Sequence, residues 1–283
     1  MTRDHAIQTP YQQSIADYWN REQNPVNLLL GDIDGLYHHH YGIGDVDTTA
    51  IGADTTDGYQ QRVTAELHRL ETAQTDFLLD HLGTIRPGDH LLDSGSGRGG
   101  SSLMANRRFS CQVDGISISQ KQVDFANQCA TERGVADRVH FHLRNMLDTY
   151  FEDARFQAVW NNESTMYVDL APLFTEYRRI LRRGGRYVTI TGAWSERFGM
   201  PSAAVSIINA RYGCNVHSYN EYLRELKAQG FQVVEVADLT AQTLPYWKLR
   251  RTSSLATGVE DAFIEAYEEG SFHYLLIAAD RLP

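Results

Sequence analysis

With 283 residues, 42% of them hydrophobic and 22% charged, the chain can bury a sizeable core, and one folded domain with a decorated end accounts for its length. A formal charge of −10 without any long Lys/Arg run repels phosphate backbones, which argues against nucleic acid as a partner. The first ten residues lack an apolar signal core and the longest apolar runs, such as 274–279, are too short to span a bilayer, so a cytoplasmic protein with no membrane partner is expected.

The first 60 residues are polar, aromatic and rich in Gly and His, and are expected to form a cap segment. From residue 61 the texture turns helical, with Val63, Leu67, Leu70, Phe77 and Leu78 at roughly helical spacing and Gly83 placed to end the helix. Strands are then expected at 90–93, 111–116, 139–144, 157–161 and 185–191. Between them lie helices at 119–133, capped by Ser119 with Gln122 three residues on, and at 170–183, stopped by Gly184. A helix at 219–229 and strands at 232–236 and 272–278 follow. Such alternation predicts a doubly wound, mostly parallel seven-stranded α/β sheet over 61–283. The stretch 194–216 fits no simple period and is expected to be an insertion over the functional edge. Cys111, Cys129 and Cys214 are odd in number and show no metal-ligand spacing, so they read as reduced thiols.

In an open parallel sheet, ligands bind beyond the carboxyl ends of the strands. After the first strand comes Asp93-Ser94-Gly95-Ser96-Gly97-Arg98-Gly99-Gly100, whose glycines permit close backbone approach to a ligand. Gly95, Gly97 and Gly100 also satisfy a dinucleotide fingerprint. Asp93 decides against that rival: a carboxylate there accepts from the ammonium of an amino-acid moiety but repels a pyrophosphate. The long helical segment before the first strand and the Leu181 to Tyr187 run point the same way, to a class I S-adenosylmethionine-dependent methyltransferase with a Rossmann-like fold. Past the second strand, Ser117, Ile118 and Gln122 resemble a ribose-facing segment, with Asp114 as the alternative acceptor. Past the third, Asn145 and Met146 are positioned to cover adenine. After the fourth stand Asn161, Asn162 and Glu163, two amides and a carboxylate facing the expected methyl sulfonium, with Asn162 assigned to the cofactor.

From Thr9 to Leu282 the sequence resembles the prenyl diphosphate C-methyltransferase family. The resemblance is carried by Thr9-Pro10-Tyr11-Gln12, the Leu30 to Gly44 run, the Trp160 to Asp169 run, and Thr243-Leu244-Pro245-Tyr246-Trp247. It implies methyl transfer to C2 of geranyl diphosphate, a step toward 2-methylisoborneol, through a tertiary cation. It also implies Glu163 as the base that removes the C2 proton, with Tyr212 and Tyr41 as aromatic catalytic residues, since aromatic faces stabilise a cation. The family neutralises the diphosphate with Mg²⁺, bound mainly through substrate oxygens, so no protein metal site is expected. His38, His39 and His40 are candidate diphosphate contacts, although three adjacent side chains cannot all point one way. Asn209, Tyr246 and Trp247 are further candidate substrate contacts. Tyr212, where some members carry Phe, and the small Ala203 and Ala204 leave a farnesyl or isopentenyl substrate open. A cyclopropane-synthase-like fatty-acyl enzyme and a non-catalytic cofactor-binding protein are the other readings, and a homo-oligomer is compatible with all of them.

Overall fold

The computed structural model describes residues 6–21 and 25–283; of the expected cap segment, residues 1–5 and 22–24 lie outside them. Seven strands form one sheet in the order β3-β2-β1-β4-β5-β7-β6. These are β1 (His90–Ser94), β2 (Gln112–Ser117), β3 (Val139–Leu143), β4 (Phe156–Asn162), β5 (Leu181–Trp194), β6 (Phe231–Asp238) and β7 (Phe272–Arg281). Strands β1 to β5 pair in parallel, and β7 lies antiparallel between β5 and β6. Chain order runs outward from β1 to β3 and then returns to β4 on the other side of β1. That reversal opens a crevice at the carboxyl ends of β1 and β4, where ligands of doubly wound sheets bind.

Alternating side chains give the sheet two buried faces. Leu91, Val113 and Val188 pack on one side, and their neighbours Leu92 and Tyr187, with Ile116, on the other. The first face is covered by α4 (Tyr59–Asp80), α5 (Gly100–Phe109) and α6 (Gln120–Glu132), through residues such as Leu67, Leu103 and Ala126. Leu173, Phe174 and Tyr177 of α7 (Leu170–Ile180) and Leu226 of α9 (Tyr219–Ala228) cover the second. Each fully buried Leu or Phe among them contributes about 1.5–3 kcal/mol. The cap on α6 forms as its sequence dictates: the Ser119 side chain accepts from the Gln122 backbone N–H.

Three expectations need correction. The helix predicted to reach residue 183 ends at Ile180, because Leu181 is already extended and pairs with Phe156 in the sheet; the register then shifts before Arg186 pairs with Ala158. The aperiodic insertion contains a regular helix, α8 (Ala203–Tyr212), capped by Ser202. Two further helices went unpredicted, α10 (Thr240–Arg251), which carries Pro245 inside it, and α11 (Glu260–Glu268). Before α4 the chain forms α1 (Pro10–Arg21), α2 (Pro25–Gly31) and the short α3 (Thr48–Ile51). The extended run between α2 and α3 is pinned by Ile43 N–H to the Leu70 carbonyl and Gly44 N–H to the Gln242 carbonyl.

Candidate active site

Where β1 ends, Gly95 and Gly97 take left-handed φ values of +84° and +55° and lead the chain into α5. A Cβ on Gly95 would lie 2.5 Å from the Ser164 side chain, and one on Gly97 would lie 3.1 Å from the His39 ring. The backbone therefore forms the floor of a cavity beyond the carboxyl ends of the strands, where doubly wound sheets bind their ligands. Ser117, Ile118 and Gln122 form its wall past β2, with Asn145 and Met146 past β3. Ser117 donates to Gln122 Oε1 at 2.8 Å. Asn145 accepts from the Leu147 N–H, while its buried Nδ2 has no partner among the described residues. Gln12, Ile15 and Trp19 of α1 close the opposite side.

Asp93 and Asp114 sit differently from the sequence expectation. Asp93 is buried behind the turn, accepting from Ser102 Oγ at 2.7 Å, and does not line the cavity. Burial pushes its carboxyl up to about 7. Asp114, the alternative ribose acceptor, is occupied by His142 at 2.7 Å and Arg155 at 2.9 Å, which hold its carboxyl below the usual range against burial.

A second, aromatic cavity adjoins the first, and Trp19, His39, Glu163 and Tyr167 line both. Its own walls include Tyr41, Ile208, Tyr212 and Phe263, with no Lys or Arg. Glu163 follows β4 in a left-handed conformation, φ +53°, fixed by its N–H to the Ile190 carbonyl. Strain of this kind is held at functional sites by the structure around it. Burial pushes the Glu163 carboxyl up to about 8 against the counter-effect of the Tyr274 hydroxyl, and Oε1 is buried without a partner. Tyr41 packs on Trp247 with centroids 4.4 Å apart, and Trp247 stacks on Phe263 at 3.9 Å.

One polar chain behind this seam had no sequence signal. Gln74 of α4 exchanges two hydrogen bonds with Asn162, at 2.7 and 2.9 Å, and its Nε2 also donates to Tyr274 Oη at 3.0 Å. Gln74 is fully buried on an otherwise amphipathic helix, where an amide reads as solvent-facing until the fold is known. Asn161 is consumed structurally: its amide donates to the Ser94 carbonyl and accepts from Tyr177 and Tyr187.

Of the predicted histidines, only His39 reaches the cavities. The extended run alternates its side chains, so His38 and His40 turn into the core, His40 beside Thr75 Oγ1 at 2.9 Å and His38 stacked on His68. Burial, then the Arg98 guanidinium, holds the His39 imidazole well below its usual range. Tyr246 and Trp247 are fully buried behind Tyr41, the Tyr246 hydroxyl donating to Glu71 at 2.7 Å. Asn209 lines neither cavity; its Oδ1 accepts from the Val216 N–H at 3.0 Å and ties α8 to the following loop. Ala203 is exposed and Ala204 buried, and neither forms a cavity wall. Among the described residues no group of three or more His, Cys, Asp or Glu could hold a metal ion.

A family described as a methyltransferase domain matches residues 92–189. A geranyl diphosphate 2-C-methyltransferase of Saccharopolyspora erythraea is 59% identical over 272 residues, covering 96% of this chain and 95% of that one. Another, from Streptomyces lasalocidi, is 58% identical, covering 97% and 91%. The crystal structure of geranyl diphosphate C-methyltransferase from Streptomyces coelicolor A3(2), in complex with Mg²⁺, geranyl-S-thiolodiphosphate and S-adenosyl-L-homocysteine, superposes with a TM-score of 0.97 at 57% identity, covering 98% of this chain and all of that one.

Proposed function

Since the chain belongs to the geranyl diphosphate 2-C-methyltransferase family, we propose that it methylates C2 of geranyl diphosphate, with Glu163 as the base and S-adenosylmethionine as the methyl donor. The observation that carries this reading is the position of Glu163 on the seam between a glycine-floored cavity and an aromatic one. The first cavity fits the cofactor: its floor has no side chain to fill it at Gly95 and Gly97, and Asn145 Nδ2 presents an unsatisfied donor. When bound there, S-adenosylmethionine supplies an electrophilic methyl group at the seam.

The second cavity suits the prenyl chain. Methylation at C2 leaves a tertiary cation at C3, and the faces of Tyr41, Tyr212 and Phe263 stabilise that charge without supplying a nucleophile. Glu163 then takes the C2 proton and the double bond reforms. A carboxylate held in an apolar site is a stronger base than in water, which suits this step. Mg²⁺ enters with the diphosphate, whose oxygens suit a hard cation. Of the histidine run, His39 is the member that lines both cavities, and its Nε2 is already engaged by Arg98 at 2.7 Å. Trp19, His39 and Tyr41, all within the first 60 residues, serve as the cap over the two cavities. The test is incubation with S-adenosylmethionine, Mg²⁺ and equimolar isopentenyl, geranyl and farnesyl diphosphates, followed by identification of the methylated alcohols. A methylgeraniol as the dominant product is expected, whereas a methylated farnesol in its place would overturn the substrate assignment.

A further inference from the structure

Helix α8 runs along the wall of the aromatic cavity in a defined direction. Its carboxyl end is tied to α1, which closes the cofactor cavity, because the Tyr11 hydroxyl donates to the Gly213 carbonyl at 3.0 Å. Its amino end is tied to the start of β7: Ser202 Oγ lies 2.9 Å from Ser271 Oγ, and the next residue, Phe272, lines the aromatic cavity. Passing from Tyr212 back along α8 is therefore passing away from the cofactor. Tyr212 and Ile208 stand one above the other on the same side of the helix and both line the aromatic cavity, whereas Ala204, one turn further, is buried and lines neither cavity. Side chains on a helix lean toward its amino end, so Ile208 lies over the turn that carries Ala204.

We propose that Ile208 sets the length of prenyl chain the aromatic cavity accepts, by closing its far end one helical turn beyond Tyr212. This rests on the reading of that cavity as the prenyl site. The reacting carbons stay with Glu163 at the seam and with the Tyr212 ring, so the rest of the chain extends along α8. One turn advances about 6 Å, the scale of one five-carbon unit. That step brings the second unit of a geranyl chain against Ile208 and leaves a third unit no room. Ile208 is 2% exposed and packs in the same core as Phe263, and a β-branched side chain in a helix keeps one preferred rotamer, so it does not swing aside. Phe272 forms the same end from the sheet side, but its ring sits directly on Gly192, where a Cβ would lie 2.1 Å from it. Ile208 is thus the part of the end wall whose size can change without displacing the sheet, and beneath it Ala204 offers only a methyl group.

The experiment compares kcat/KM for dimethylallyl, geranyl and farnesyl diphosphates, which share the C2–C3 double bond and differ only in tail length, with S-adenosylmethionine and Mg²⁺. One methylene in an apolar pocket alters selectivity by about 10–200-fold. Ile208→Ala should therefore raise the farnesyl-to-geranyl ratio at least about tenfold, and Ile208→Phe should lower the geranyl-to-dimethylallyl ratio by a similar factor. Ile207→Ala, on the exposed side of the same helix, should leave both ratios unchanged. Circular dichroism verifies the fold, and if Ile208→Ala does not fold, Ile208→Val, smaller by one methyl group, takes its place beside Ile208→Phe. Ratios that stay unmoved in the folded small and large variants, in an enzyme whose wild type turns over geranyl diphosphate, overturn the role of Ile208 alone. A wild type that methylates none of the three substrates overturns the functional reading and this inference with it.

Discussion

Tyr41 meets Phe263 edge to face with ring centroids 5.1 Å apart, joining the segment before the sheet to α11 at the wall of the aromatic cavity, which Tyr212 also lines. Two distant parts of the chain thereby close one surface. Tyr212→Phe keeps the ring face that lines the cavity and removes only the phenol oxygen. The variant should retain most of its turnover. Tyr212→Leu removes the ring face, and the loss of a desolvated cation–π contact of about 2 kcal/mol predicts roughly thirtyfold slower turnover. Steady-state rates on geranyl diphosphate check both; equal damage in the two variants would assign proton chemistry to the phenol.

Glu163→Gln should slow turnover by about a hundred to ten thousand fold, the usual worth of a general base. It should also release products in which a different proton has been lost, visible by mass spectrometry. Near-normal rates would remove Glu163 from the mechanism.

The pH dependence follows from the same carboxyl. Its pKa is raised, to about 8, so at neutral pH most of the free enzyme carries Glu163 protonated and unable to act as a base. The ionised fraction grows as pH rises through that value. Accordingly kcat/KM, which reports the free enzyme, should climb with a midpoint near 8, and Glu163→Gln should flatten this limb. A wild-type profile already level above pH 6 would contradict it.

Gly95→Ala places a methyl 2.5 Å from the Ser164 side chain on a backbone that L residues rarely adopt. Binding of S-adenosylhomocysteine, measured by calorimetry, should fall below detection while the circular dichroism spectrum stays that of a folded protein. Unchanged affinity would move the cofactor site away from this turn.

Chelation provides a separate check. Hard Mg²⁺ takes phosphate oxygens, so it is expected to act on the substrate diphosphate rather than on the fold. EDTA should abolish turnover, added Mg²⁺ should restore it, and the melting temperature should not change. Full activity in EDTA would assign neutralisation of the diphosphate to side chains.

The parallel core was legible in the sequence because its signals are local: strand runs bounded by turns, Ser119 capping α6, and glycines directly after β1. The residues at strand ends, Gly95, Ser117, Asn145 and Glu163, follow from topology alone once the strands are placed. What stayed hidden is non-local. Gln74 and Tyr274 are two hundred positions apart and meet only in the folded state. The alternation that sends His39 to the cavity and His38 and His40 inward depends on which face of an irregular strand the core covers. Helix α10 was masked by Pro245, a residue that ordinarily ends a helix.

The placement of β7 has a consequence for how the molecule is made. Strand β6 precedes β7 in the chain but borders the sheet only through it. During vectorial synthesis the parallel strands can therefore pair as they emerge, while β6 waits without a neighbour and β5 keeps an open edge. A nascent chain paused before residue 272 would hold its parallel strands paired while β5 kept an exposed edge and β6 had no place in the sheet, so the arrival of β7 covers the one and seats the other in a single event.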